Sequence, residues 1–137
     1  MKNKSIIHFL VIAFFLLVSC APVYSPYIYD QTADLKTRSL TIMNKATDLY
    51  SKHEKAVDQL KSDLEFILQQ EKMRKYNQVK VKQWNLLLAP DGYLLNGTFG
   101  KWQRDTTMSE AFVDLQRKLI SEAFDLIQET EKQRLKN

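Results

Sequence analysis

Few side chains in this 137-residue sequence suit covalent or metal chemistry, and Cys20 is the only thiol. A lone cysteine excludes an intramolecular disulfide and a thiolate cluster. His8 and His53 are the only histidines, whereas a zinc site commonly needs three or four ligands drawn largely from His and Cys. The sequence therefore predicts neither a metal site nor a cofactor.

Cys20 stands at the end of a segment with three zones. Lys2 and Lys4 open it, an apolar run over residues 6–18 is interrupted only by His8, and Ser19 precedes the cysteine. A basic start, a short apolar stretch and a small residue at the end are typical of a secretory signal. The run is shorter than the roughly 20 residues that a membrane-spanning helix needs. We expect residues 1–19 to be a cleaved signal peptide, with an uncleaved anchor as the alternative.

The ending Leu17-Val18-Ser19-Cys20 resembles the lipobox of bacterial lipoproteins. The resemblance implies transfer of diacylglycerol to the Cys20 thiol, cleavage after Ser19 and acylation of the new amino group. Two or three acyl chains make such a membrane attachment lasting, whereas one chain holds a protein only marginally. Ala21 in place of Asp implies an outer-membrane address where the organism has two membranes.

The remaining 118 residues are enough for one domain with its own core. They hold 18 basic and 16 acidic residues, because Lys2 and Lys4 belong to the signal, so their side-chain charge is +2. Neither this charge nor export suggests a nucleic-acid partner. Phosphate-loop, nucleophile-elbow and H-E-x-x-H motifs are absent, so we expect a non-catalytic protein, with a carboxylate-only enzyme left open.

Residues 20–30 are predicted to form an extended tether, because Pro22 and Pro26 disfavour helix around them. Three tyrosines of this segment fit either the lipid headgroup boundary or the surface of the domain: Tyr24, Tyr27 and Tyr29.

Residues 31–137 are predicted to form an all-α domain, a small helical bundle. Glycine and proline are absent from residues 31–76, where a stripe runs through Leu35, Ser39, Ile42, Ala46, Leu49, His53, Ala56, Leu60, Leu64 and Ile67. Steps of three and four indicate one long N-terminal helix. The stripe slips by one position near Leu60, which favours bundle packing over a regular coiled coil, and a kink or break is expected near residues 70–78.

Over residues 79–106, one or two short central helices are favoured over a hairpin, because apolar residues occur in blocks around the turn Pro90-Asp91-Gly92. The pattern Thr107-Met108-Ser109-Glu110 resembles a capping box that begins a C-terminal helix. The buried face of this helix is predicted to be Phe112, Leu115, Leu119, Ala123, Leu126 and Ile127, and the polar tail from Glu129 is expected to fray. With its Gln83-Trp84 stretch, proline turn and second tryptophan, the domain resembles small uncharacterised bacterial lipoproteins, which implies the fold alone.

Five cations with no acid between them form a basic run: Lys72, Arg74, Lys75, Lys80 and Lys82. This run suits contact with an anionic surface such as lipid headgroups, lipopolysaccharide phosphate or an acidic protein. Alternatively, it marks the solvated C-terminal end of a helix, where positive charge is favoured.

Four aromatic residues are dense for one stretch and suit an apolar pocket, a docking surface or a packed core: Trp84, Tyr93, Phe99 and Trp102. His53 lies on the predicted stripe with no evident catalytic partner, so a partly buried, hydrogen-bonded role is expected. We therefore expect an exported protein, anchored to a membrane through lipid on Cys20, that acts through contacts with an envelope protein. The alternative is a binder of a small apolar or anionic ligand at the Trp84–Trp102 region.

Overall fold

The structure, a computed structural model, describes residues 22–136; the expected signal peptide, the predicted lipidation site Cys20 and Ala21 lie outside the described residues. Within residues 22–136 there are five α-helices and no strand. The helices are α1 (Pro26–Met43), α2 (Glu54–Met73), α3 (Gln78–Leu87), α4 (Leu95–Asp105) and α5 (Glu110–Lys132). Short 3-10 turns occupy Tyr50–Lys52 and Gln133–Lys136. The predicted all-α fold is confirmed.

Four helices form an up-down-up-down bundle, and α4 covers one end of it. Helix α1 packs against α2 and α5, and α3 packs against the same two helices. The core between them is apolar, with Leu35, Leu60, Leu64, Ile120 and Phe124 almost wholly buried. Ion pairs join the helices outside this core, such as Lys36 with Asp125 at 2.5 Å.

Helix α1 begins inside the segment predicted to be a tether. Pro26 takes the first helical position, where its missing N–H costs nothing, and the Ser25 hydroxyl accepts a hydrogen bond from the Ile28 N–H. The extended tether therefore stops at Ser25 instead of residue 30. The prediction failed because proline disfavours the interior of a helix but is well suited to its first position, which Pro26 occupies.

The single long helix predicted over residues 31–76 is wrong, because residues 44–53 form a turn between α1 and α2. This turn contains no glycine or proline. Two backbone bonds tie it to the segment before α5: the Tyr50 N–H donates to the Thr106 carbonyl and the Met108 N–H to the Ala46 carbonyl. Since these partners are over 50 residues away in sequence, local spacing does not report the break. The one break that was predicted, near residues 70–78, is present at residues 74–77.

The two short central helices are confirmed as α3 and α4, on either side of Pro90-Asp91-Gly92. In the closing helix α5, the cap is Ser109, whose hydroxyl accepts from the Phe112 N–H at 3.4 Å, so the predicted cap at Thr107 is wrong. The buried face is Val113, Gln116, Ile120, Phe124 and Ile127. Of the predicted face only Ile127 is buried; Leu115, Leu119 and Leu126 point to solvent.

Candidate functional site

The two ends of the bundle differ in chemistry. We call the end where the described chain begins the proximal end; it consists of residues 22–28, 71–80 and 131–136. The opposite, distal end consists of residues 44–53 and 88–109. At the proximal end α5 finishes beside the start of α1, since the Ser25 N–H donates to the Glu131 carboxylate at 2.7 Å. Helices α2 and α3 meet at the same end through the turn at residues 74–77.

A buried ionic cluster lies at the centre of the proximal end. The Lys80 ammonium is fully buried and contacts both the Glu71 and the Glu131 carboxylates, the latter at 2.7 Å. Buried charges are costly unless paired, and this pairing compensates for the lost hydration. Two guanidinium groups complete the cluster: Arg74 lies 2.9 Å and Arg134 3.0 Å from Glu131. The cluster joins α2, α3 and α5 through their ends.

The environment of Glu131 favours its ionised form. Burial acts against ionisation, but hydrogen bonds from Arg74, Lys80 and the Ser25 N–H outweigh it and lower the pKa of Glu131 to about 2, from an ordinary 4.5. Asn77, also buried, donates its amide N–H to the Glu71 carbonyl at 2.6 Å and accepts from Arg134. The tail beyond Glu129, predicted to fray, instead carries two members of the cluster.

The cluster also holds the first described residues. Arg74 donates to the Val23 carbonyl, and the Ser25 N–H is bound to Glu131. Val23 and Ser25 are thus fixed to the ends of α2 and α5 by charge-assisted hydrogen bonds, which are stronger than neutral ones.

The structure divides the predicted basic run. Lys80 is wholly buried and Arg74 largely so, because both pair with the buried carboxylates. They cannot form an exposed anionic-surface contact as predicted. Lys72, Lys75 and Lys82 are exposed. The sequence signal that was missed is the pair of acids, Glu71 and Glu131, at buried positions of amphipathic helices.

The predicted aromatic group is divided as well. Trp84, Phe99 and Trp102 are fully buried, whereas Tyr93 is 88% exposed. The Trp84 ring stands edge-on to Phe124, with centroids 5.9 Å apart, and Trp102 stands edge-on to Tyr50 at 5.3 Å. The indole N–H of Trp102 donates to the Asp48 carbonyl at 2.9 Å. Three of the four residues therefore fill the core, and only Tyr93 is available to a partner.

Beside Tyr93 lies an open groove of about 480 Å³. It is lined by Pro90, Tyr93, Lys101, Arg104, Phe112 and Gln116 among others. At the side of this groove α4 starts in close contact with the preceding turn: a Cβ on Gly97 would stand 1.7 Å from the Gly92 carbonyl oxygen. Lys101 already pairs with Asp105 at 2.5 Å and lies over the Phe112 ring. Arg104 is exposed at its rim.

His53 lies at the start of α2, as its cap residue, and not within a continuous helical stripe. Its Nε2 is 3.0 Å from the Asp48 carboxylate, and its ring lies against Trp102 with centroids 5.7 Å apart. The ring is half-buried, and these contacts fix its orientation against the distal turn. The arrangement is that of a positioned structural histidine.

Helix α5 carries a second apolar face, directed away from the core. Leu115, Leu119 and Leu126 fall at helical spacing on this leucine stripe and are 54%, 37% and 57% exposed. Glu122 and Glu129 lie along the same strip of the helix and are exposed too. Helix α5 thus has apolar residues on two faces, and the bundle covers only one of them.

In the described part of the chain, no helix is both long enough and apolar enough to cross a membrane. Among the same residues, no group of three or more His, Cys, Asp or Glu side chains is arranged to hold a metal ion. Comparisons of the sequence and the structure with protein-family models, with curated proteins and with solved structures find no match.

Proposed function

We propose that this chain is a lipid-anchored, non-catalytic helical protein of the cell envelope that works through contacts with another protein. The observation that carries the contact is the leucine stripe of α5. The anchor is supported by the sequence around Cys20, which lies outside the described residues.

The leucine stripe suits a protein partner of definite chemistry. Three leucines spaced over about three turns of helix match the row of anchors that a groove or a second helix binds. Glu122 lies between Leu119 and Leu126 in that row and Glu129 follows Leu126, so both add negative charge to it. The partner surface should therefore be apolar and carry basic side chains opposite these carboxylates, which would set its register on α5.

Cys20→Ser tests the anchor. The variant should incorporate no labelled fatty acid in growing cells and should keep its signal, because the thiol that receives the lipid is gone. Processing is read from the mass of the purified chain. Wild-type labelling and wild-type mass in the variant would refute the anchor.

The contact is tested by a photo-crosslinking residue at position 119 in intact cells, with position 62 on α2 as control. We expect one envelope protein to be crosslinked at 119 only. Changing Leu115 and Leu126 to Gln should remove the product, whereas Phe66→Gln and Leu86→Gln, at similarly exposed positions, should not. A purified pair must then show the same crosslink; equal yields from positions 62 and 119 would refute the assignment.

A second candidate function is the binding of a small anionic amphiphile in the groove beside Tyr93. It is favoured by the aromatic rings of Tyr93 and Phe112 next to the cations Lys101 and Arg104. A fatty acid is the probe, because its tail and carboxylate match these groups. Titration calorimetry should show binding that Arg104→Gln weakens and Lys118→Gln, on the solvent side of α5, leaves unchanged. Equal weakening by both variants would reject the site.

A further inference from the structure

The proximal end has a surface that is basic and apolar at once. Its three segments, residues 22–28, 71–80 and 131–136, contain seven basic and two acidic residues, a side-chain charge of +5. The two acids, Glu71 and Glu131, are both buried. The rest of the chain after residue 19 has a charge of −3, because the total is +2. Net positive charge is therefore concentrated at the proximal end, since the distal end has a side-chain charge of only +1.

Every fully exposed charged side chain of the proximal end is a lysine: Lys72, Lys75, Lys132 and Lys136. Large exposed apolar side chains lie among them: Val23, Met73, Tyr76, Val79 and Leu135. Isolated exposed apolar residues are ordinary on protein surfaces. Here five of them share the end of the bundle with four lysines, the composition that suits the boundary between anionic headgroups and acyl chains.

The place of this end along the chain matches that composition. The described chain starts at Pro22 on the proximal end, and Arg74 and Glu131 hold Val23 and Ser25 in place. Only Ala21 lies between Cys20 and Pro22, so the Cα atoms of these two residues are no more than about 8 Å apart. Lipid on Cys20 would hold the proximal end within reach of the headgroups and keep the distal end away from them.

We infer that the proximal end is a docking surface for anionic phospholipid headgroups. The four exposed lysines contact the headgroups while Val23, Met73, Val79 and Leu135 enter the boundary region. This inference rests on the proposed anchor for its orientation. Because the buried cluster fixes the helix ends to each other, the bundle would stand on the membrane as a rigid body.

This orientation places the leucine stripe relative to the bilayer. A helix rises 1.5 Å per residue. Leu126 and Leu115 precede Lys132, near the membrane, by 6 and 17 residues, so they would stand roughly 9 and 25 Å above it if α5 is upright. The stripe would then be presented at a fixed height to an envelope protein.

The test uses the mature, lipidated protein in vesicles with an environment-sensitive fluorophore on a second cysteine. Val79→Cys reports the proximal end, and Leu49→Cys, at a comparably exposed apolar position of the distal end, is its matched control. In vesicles with phosphatidylglycerol, the Val79 probe should shift to shorter wavelength and be quenched by brominated lipid. The shift should be small in phosphatidylcholine alone, and salt should reduce it through screening. The Leu49 probe should remain in water throughout.

Charge reversal supplies the second arm of the test. Lys72, Lys75 and Lys136 changed to Glu should abolish the shift, since each lysine near an anionic surface changes the docking equilibrium by about fivefold. Lys45 and Lys52 of the distal end and the neighbouring Lys55, all changed to Glu, form the control, and they should leave the shift intact. An equal response in both vesicle types, or equal effects of the two triple variants, would overturn the docking surface.

Flotation with the vesicles and the mass of the mature chain separate this inference from the anchor. A chain that floats while its Val79 probe stays in water retains the anchor and refutes docking. A chain without lipid on Cys20 refutes the anchor. In that case sedimentation of the same chain with anionic, but not neutral, vesicles would still support docking, and its absence would refute it.

Discussion

The two ends of this bundle are held together by opposite kinds of interaction. At the proximal end three helix ends meet around buried charges, with Lys80 between Glu71 and Glu131. At the distal end a turn, a 3-10 segment and α4 meet around the edge-on rings of Tyr50 and Trp102. Ion pairs fix the relative orientation of the groups they join, and their strength depends on pH. The edge-on rings contribute buried apolar area, and that contribution does not depend on pH. Paired charges suit the fixed orientation at a charged boundary that we propose for the proximal end.

Substitution of Trp102 tests the aromatic packing of the distal end most directly. Trp102→Ala should lower the free energy of unfolding by about 3–5 kcal/mol, because it removes a fully buried ring and its hydrogen bond to the Asp48 carbonyl. Urea denaturation followed by circular dichroism measures this. Tyr93→Ala, on the exposed ring of the same segment, is the control and should change stability by under about 0.5 kcal/mol. Similar losses in both would contradict the packing described for the distal end.

At the proximal end the matching change is Lys80→Met, which keeps most of the side-chain volume and removes the buried cation. The expected loss is about 3–5 kcal/mol, since Glu71 and Glu131 would remain buried without the ammonium between them. Lys82→Met, two residues further on an exposed face, should have little effect in the same denaturation experiment. A stable Lys80→Met protein would mean that Arg74 and Arg134 alone balance the two acids.

Acid should weaken the proximal end through protonation of Glu131. The pKa of Glu131 is about 2 in the folded chain and 4.5 ordinarily, so its ionisation stabilises the fold above the unfolded value. That stability is lost as pH falls from about 4.5 towards 2, and on the order of 3 kcal/mol is at stake. Denaturation at a series of pH values should show this decline. In Glu131→Gln the slope over that window should be shallower, and an unchanged slope would assign the decline to other carboxyl groups.

A smaller loss of stability is expected from a change at the start of α4. Gly97→Ala should destabilise by about 1–3 kcal/mol, because the new Cβ would collide with the Gly92 carbonyl and force α4 away from the turn. Gly100→Ala in the same helix meets only the flexible end of Arg104, at 3.4 Å, and should be neutral or slightly stabilising. Thermal melts of the two variants provide the comparison, and equal melting temperatures would rule out the close approach.

Local signals determined much of this fold. The absence of glycine and proline from residues 31–76, the three-and-four spacing and the turn at Pro90-Asp91-Gly92 correctly indicate an all-α chain with short central helices. They do so because helix periodicity and turn chemistry depend on neighbours a few residues apart. The break at residues 44–53 depends on the distant partners Thr106 and Met108, so no local pattern reports it.

Which apolar face of α5 is buried was likewise decided by tertiary packing. Two faces of that helix are apolar, and periodicity does not distinguish the leucine stripe from the face of Ile120 and Phe124 that meets α1 and α3.

The charged residues show the same division. The sequence gives the number and order of the charged residues, including the basic run and the acids Glu71 and Glu131. Only the packed structure assigns Lys80 and Arg74 to a buried cluster and leaves Lys72 and Lys75 exposed. The physical reason is that a charge is buried only where opposite charges converge on it, and here one of the two carboxylates, Glu131, comes from a helix 51 residues further along the chain than Lys80.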